Sequence, residues 1–493
     1  MKAVRKYRIL FVTSEVQPLM KTGGLADVSA ALPAALRSMG HDVRILTPAY
    51  ADSLQSGQAI SVCEQFDGDE AGDDARLLRT SLPESNVPVW MLDVPDFGSR
   101  KGSPYLDEEG KPWSDNAERF NRLSQIAALI AGDRVGLGWC ADIVHCNEWH
   151  TGLIPVWLKQ YGLSIATVFT IHNLAYQGLF PREQFDRLAL PARLWSPRGL
   201  EFHNQLCMIK GGLQFADKLT TVSPNFAREI LTPEYGNGLA GVLQERVNDL
   251  TGILNGLDTD CWNPKTDPWL KRNYDLASLE LKRANKTAIQ KQLGLTAGKH
   301  IPLVVMIGRL VHQKGVDYVI DAVPELMQSP LQLAILGTGD KSYRKALAGL
   351  QAKFPGKFAL IDRFGEAIAH RLEAAADMLL MPSRFEPCGL TQLQSLRYGT
   401  VPIVSRTGGL LDTVINLESD SSNLKSATGL YIDELTPAGI VRAIQRALEL
   451  LSRHPAWQVL MQNGMRQDFS WARSARQYER VYREASATVH SRG

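Results

Sequence analysis

The sequence predicts an α/β protein made of two Rossmann-like, doubly wound parallel-sheet domains, and three observations carry that expectation. A strand, loop, helix, strand pattern opens the chain, the same pattern restarts near residue 301, and a length of 493 residues exceeds one ordinary core. Single hydrophobic cores stop growing at roughly 250–300 residues, so two cores are the natural division.

Residues 7–13 (YRILFVT) form a short run rich in β-branched and aromatic side chains, and a loop over 14–24 follows. Ala26, Val28, Ala31, Leu32, Ala35, Leu36 and Met39 then recur at helical spacing, with Gly40 where a left-handed cap is wanted. Val43, Ile45 and Leu46 give the next strand, which completes a βαβ unit and so implies a parallel sheet. Buried strands are expected at 143–145 and 166–171. In the second half, 301–307 is a strand, 308–315 a loop, and Val319, Ile320, Val323, Leu326 and Met327 mark a helix. Later strands fall at 331–336, 378–381 and 401–404, each followed by Gly, Ser or Thr at the end where such sheets bind ligands. The polar, proline-containing stretch 255–275 reads as the linker. The expected domains are 1–258 and 259–470, facing a cleft, with a final helix at 471–493 crossing back to the first.

A composition of 44% hydrophobic and 22% charged residues is that of a folded chain. The net charge of +2 and the lack of long basic runs argue against nucleic acid or an anionic membrane as partner. No apolar run reaches the ~20 residues of a membrane span, and 9–12 is too short for a signal-peptide core. Cys63, Cys140, Cys146, Cys207, Cys261 and Cys388 show neither a CxxC pair nor ligand spacing with His, so they read as reduced cytoplasmic thiols with no metal expected.

TGGLADV at 22–28 is echoed by TGGLLDTV at 407–414. Glycine pairs before an apolar helix start, here Gly23 and Gly24 and again Gly408 and Gly409, let backbone amides approach an anion. A tight loop at a strand end is the alternative for either copy taken alone.

KTGGLADV (21–28), TIHNLAYQG (170–178), ILNGLD (253–258), GRLVHQKG (308–315) and SRFEPCGLTQ (383–392) occur in that order, and together they resemble the bacterial glycogen and plant starch synthase family. The resemblance runs from about residue 8 to 482. It implies the two-domain GT-B glycosyltransferase fold, retaining chemistry, ADP-glucose as donor, a glycogen or α-1,4-glucan primer as acceptor, and no metal or other cofactor. The first domain would take the glucan and the second the nucleotide sugar. The absence of an appended carbohydrate-binding module or transit peptide favours a bacterial, cytoplasmic enzyme over a plastid one.

The resemblance places Arg309 and Lys314 on the donor phosphates, where cationic side chains do the work of Mg²⁺. Lys21 is expected to reach the same phosphates, with Gly23, Gly24, Gly408 and Gly409 supplying amides. Glu386 is the expected catalytic acid beside the sugar hydroxyls, with the dipole of the following helix as its structural alternative. A second acid eight residues later, present in related retaining enzymes, is replaced by Gln394, so a carboxylate pair is not expected. His172 matches the residue beside the reacting glucose, and Asn173, Asn255 and Asp27 match further polar positions near sugar or acceptor. Phe364 takes the place of a tyrosine against the adenine, with a core phenylalanine as the alternative. Cys388 has no adjacent His and reads as a contact residue. Asn147 and Glu148 stand where relatives usually carry His and Asp, and Glu148 is still expected to serve the sugar or acceptor site. The expected reaction is attack by the glucan 4-hydroxyl from the face of the departing phosphate. The rivals are a GT-B transferase making a small glucoside from UDP-glucose and a glucan-binding protein without turnover.

Overall fold

A computed structural model of the chain describes residues 5–55, 60–65, 75–100, 103–363 and 365–491. These residues divide into two compact units, one from Met1–Gly256 with Trp471–Gly493 and the other Leu257–Ser470.

In the first unit the described residues form a nine-stranded sheet. Its strands are β1 (Arg8–Val12), β2 (Asp42–Pro48), β3 (Ser61–Gln65), β4 (Arg76–Ser81), β5 (Pro88–Asp93), β6 (Ile143–Asn147) and β7 (Ala166–Ile171). After a small antiparallel sheet of β8 (Leu179–Pro181), β9 (Glu201–Phe202) and β10 (Gln205–Cys207) come β11 (Lys218–Thr221) and β12 (Leu250–Gly252). The order is β12-β11-β7-β6-β1-β2-β5-β4-β3. Seven strands run parallel, as the βαβ pattern requires, but β4 and β3 add an antiparallel edge. The central strands β6 and β7 are buried along their whole length, and their polar members His145, Asn147, Thr167 and Thr170 are hydrogen-bonded in the core.

Helix Gly24–Ser38 turns Val28, Leu32 and Leu36 onto this sheet, and Gly40 follows it with φ of +92°. Helix Trp471–His490 packs on the same core through Ala475, Tyr478, Val481, Tyr482 and Ala485. Its Tyr482 hydroxyl meets His145 Nδ1 at 2.7 Å, and Thr170 Oγ1 meets Nε2 at 2.6 Å. Burial, with a smaller push from His172, lowers the His145 pKa to about 3, so this core imidazole is neutral.

The second unit has one six-stranded sheet among the described residues, all parallel: β13 (Leu303–Ile307), β14 (Gln332–Leu336), β15 (Phe358–Ile361), β16 (Met378–Met381), β17 (Val401–Ser405) and β18 (Leu430–Ile432). The order β15-β14-β13-β16-β17-β18 reverses direction between β13 and β16. The first unit reverses between β1 and β6. At such a switch point the loops leaving adjacent strands diverge and open a crevice.

The stretch 255–275 is not a loose linker. Asp267 and Tyr274 are buried, the Tyr274 hydroxyl donates to Tyr398 O at 2.7 Å, and the Tyr398 hydroxyl donates to Asp267 at 2.6 Å. Its polar composition reflects hydrogen bonding into the second unit rather than solvation. Tyr482→Ala removes a fully buried ring and leaves His145 Nδ1 without its partner, so stability measured by urea unfolding is expected to fall by about 3–5 kcal/mol.

Candidate active site

The loop after β1 is organised by a carboxylate that the sequence reading passed over. Glu15 is only 3% exposed, and it accepts hydrogen bonds from Thr22 N (2.5 Å), Thr22 Oγ1 (2.6 Å), Gly23 N (3.3 Å) and the Tyr105 hydroxyl (2.6 Å). The Gly23 amide is therefore engaged with Glu15 rather than left for a ligand. Lys21, on the same loop, donates to Asp27 Oδ1 at 2.6 Å and Gln17 Oε1 at 2.9 Å. The Lys21–Asp27 pair is more than a third exposed on both sides, so its net strength is small.

The adjacent ends of β6 and β7 bring together Asn147, Glu148, His172 and Asn173. Glu148 has φ of +63°, a left-handed conformation rare for glutamate, and the bend turns its carboxylate inward. There Oε1 accepts from His172 N at 2.5 Å and Asn173 N at 2.8 Å. Burial raises the Glu148 pKa to about 8 despite these two amides. Asn147 donates through Nδ2 to Val12 O at 3.0 Å, so its Oδ1 must face His172 Nε2, 3.0 Å away. That contact sets the proton on Nε2 and leaves the lone pair on Nδ1. Burial lowers the His172 pKa to about 3, so the ring is neutral. Asn255 follows β12, takes part in none of these hydrogen bonds, and has a buried Oδ1 with no hydrogen-bond partner among the described residues.

In the second unit the loops after β13 and β16 meet. Lys314, at the end of the short turn His312–Lys314, bonds Glu386 Oε2, which also accepts from Ser383 Oγ at 3.0 Å. Glu386 is 5% exposed. Arg309 stands on the β13 loop and is exposed. Helix Gly408–Thr413 begins against this segment: a Cβ on Gly408 would lie 1.9 Å from Glu386 O, and one on Gly409 would lie 2.3 Å from Cys388 O. Gly409 N donates to Glu386 O at 2.9 Å. These glycines thus permit close backbone approach, and the Gly409 amide is already used. Cys388 is buried, with its carbonyl accepting from Gln392 Nε2 at 2.9 Å. Phe364 lies outside the described residues.

The structure therefore joins Lys21 with Asp27, Glu148 with His172 and Asn173, and Lys314 with Glu386 and the Gly408–Gly409 turn. Glu15 and Ser383 are polar residues that the reading missed, and Asn147, noted there only as a departure from relatives, proves to orient His172. A signal existed for Glu15, an acid seven residues before a Thr-Gly-Gly turn whose amides need an acceptor.

Residues 8–245 match the starch synthase catalytic domain family and residues 286–457 the glycosyl transferases group 1 family. The chain is 49% identical to glycogen synthase 1 of Methylococcus capsulatus, covering 98% of each chain. It is 48% identical to a glycogen synthase of Thioalkalivibrio sulfidiphilus, covering 97% of this chain and 99% of that one. Among solved structures it is similar to the catalytic domain of starch synthase IV from Arabidopsis thaliana bound to ADP and acarbose, with a TM-score of 0.87, 32% identity, and coverage of 98% and 100%.

Because the Glu148 pKa is about 8 in the folded protein and about 4.3 in an unfolded chain, the folded state holds the extra proton between those values. This carboxyl therefore subtracts stability as pH rises through that window. In Glu148→Gln the decline of the urea midpoint between about pH 5 and pH 8 should be shallower than in wild type, and identical slopes would show that Glu148 ionises normally.

Proposed function

The chain belongs to the glycogen and starch synthase family of GT-B glycosyltransferases, and from that premise we propose that it transfers glucose, with retention, from ADP-glucose to the non-reducing 4-hydroxyl of an α-1,4-glucan. The observation that carries the reading is the Lys314–Glu386 pair on the two loops that meet at the second unit's switch point. Support for the donor comes from the starch synthase IV structure, whose bound ADP has the base and diphosphate of ADP-glucose.

Cleaving the glucose–phosphate bond leaves negative charge on the diphosphate, so cations must be in place before it develops. In this reading Lys314 and Arg309 meet that charge, and Lys21 adds to them from the first unit. Both lysines hold carboxylates, so phosphate binding is an exchange of anions. Glu386, released from Lys314, accepts hydrogen bonds from sugar hydroxyls. His172, fixed by Asn147 with its lone pair on Nδ1, accepts from a hydroxyl of the reacting glucose. Asn255, Asp27 and Asn173 take the remaining polar contacts, with Glu148 beneath the His172–Asn173 turn as a positioning residue.

The leaving phosphate takes the proton of the attacking 4-hydroxyl, a front-face route in which no protein carboxylate bonds to the sugar. Residues 1–258 serve the glucan and 259–470 the donor. Transfer needs no metal, because cationic side chains occupy its place at the diphosphate. On this reading the reaction is cytoplasmic; no helix among the described residues is long and apolar enough to cross a membrane.

The test is incorporation of labelled glucose into glycogen by purified protein. ADP-glucose should outperform UDP-glucose, and equal or better use of UDP-glucose would overturn the donor assignment. Lys314→Ala and Arg309→Ala should each lower kcat/KM by roughly a hundred- to a thousand-fold, with chelator leaving the wild-type rate intact. Wild-type turnover in both variants would remove these residues from the phosphate site.

A further inference from the structure

Outside the residues assigned to transfer, the second unit gathers a thiol, a carboxylate and an imidazole from segments about a hundred residues apart. One ligand atom each of Cys261, Glu366 and His370 lies within 4.8 Å of the other two. Glu366 opens helix Glu366–Ala375 and His370 stands one turn later, so the two share a face. Cys261 comes from the start of the unit, where its amide and that of Asp260 are both held by Asp258 Oδ1 at 3.0 Å.

The imidazole is prepared as a metal ligand is. His370 is 1% exposed, and its Nδ1 lies 2.8 Å from the Asp267 carboxylate, which also accepts from the Tyr398 hydroxyl at 2.6 Å. Trp262 stacks on the ring at 3.8 Å with an interplanar angle of 13°. The carboxylate fixes the proton on Nδ1 and the indole fixes the plane, which is how metal-bound histidines are oriented. Nε2 is left buried with no hydrogen-bond partner among the described residues. A buried nitrogen lone pair without a partner costs free energy unless something electrophilic meets it.

We propose that Cys261, Glu366 and His370 form a binding site for a single divalent zinc ion, which ties the first residues of the second unit to helix Glu366–Ala375. One sulfur, one nitrogen and one oxygen suit a borderline-soft ion and exclude Mg²⁺ and Ca²⁺, which take oxygen ligands. Three protein ligands leave a fourth position for water. With metal–ligand bonds of about 2.0–2.3 Å, the atoms must draw together by about 1 Å. Cys261 and Glu366 are exposed and can move, while His370 is the fixed point. Binding converts the Cys261 thiol to a thiolate and releases its proton to solvent. None of the three ligands is assigned to sugar transfer, so the site and the proposed reaction stand or fall separately.

Metal-stripped full-length protein is titrated with Zn²⁺ against a chromophoric chelator and, separately, with Co²⁺, whose bond to a thiolate gives a charge-transfer absorption band. Wild type should take up one equivalent of Zn²⁺, show the Co²⁺ band, and gain thermal stability with added zinc. Cys261→Ser should lose the band and bind Zn²⁺ about tenfold or more weakly, and Glu366→Gln should also weaken binding; both replace exposed side chains, so the fold is retained. Cys140→Ser should behave as wild type. No stoichiometric zinc uptake by wild type, or a band and affinity that survive Cys261→Ser, would overturn the site.

Discussion

In each unit strands are added in one direction and then in the other from a central strand, β1 in the first and β13 in the second. The chemistry depends on that reversal. Helices that follow strands on opposite sides of the switch point lie on opposite faces of the sheet, so the loops leaving β1 and β6, or β13 and β16, separate and leave backbone ends and side chains facing a crevice. Glu15, Lys21 and Glu148 occupy one such edge, and Arg309, Lys314 and Glu386 the other. Any change that shifted β1 or β13 would displace a whole constellation, and Ile9 to Val12 and Leu303 to Val305 are fully buried in their cores.

What shapes the loops is buried polarity rather than intrinsic propensity. Glu15 pulls the amides of Thr22 and Gly23 around its carboxylate, and Glu148 does the same for His172 and Asn173. Taking a carboxyl out of water is costly, and the two amides at Glu148 do not offset that cost, since its pKa is still raised. Glu148 also holds a left-handed backbone. Such costs persist only where the surrounding structure over-determines the geometry, and here Asn147, wedged between Val12 and His172, supplies that constraint.

The sheet cores were legible because strands buried on both faces are written as unbroken apolar runs, as in β13 (LVVMI) and β16 (MLLM). The antiparallel edge was not, because β4 (RLLRTS) interleaves arginines with its buried residues and carries no flanking βαβ grammar. The stretch 255–275 read as a linker because hydrogen-bonded interior polarity, as at Asp267, has the same composition as solvated polarity. The glycine pairs signalled tight backbone correctly, but sequence cannot show what approaches: at Gly408 and Gly409 it is the protein's own Glu386 and Cys388 carbonyls. Glu366 and His370 stand one helical turn apart, but nothing in the sequence tied Cys261 to them, since only the tertiary fold joins a segment before β13 to the helix after β15.

The Lys314–Glu386 pair bears on how an anion is recognised. A lysine held near a partly buried crevice with no partner would be penalised by desolvation, and a fixed carboxylate without a cation would be penalised in the same way. Pairing Lys314 with Glu386 relieves both, and the pair is stabilised further by Ser383. An arriving diphosphate offers Lys314 more charge than Glu386 does, and the sugar attached to that diphosphate offers Glu386 the hydroxyl donors it loses from the lysine. A bare phosphate supplies only the first half of this exchange and leaves the glutamate unsatisfied. On the proposed reading, the ion pair therefore favours an intact sugar nucleotide over its fragments, because only a ligand carrying both groups satisfies both side chains at once.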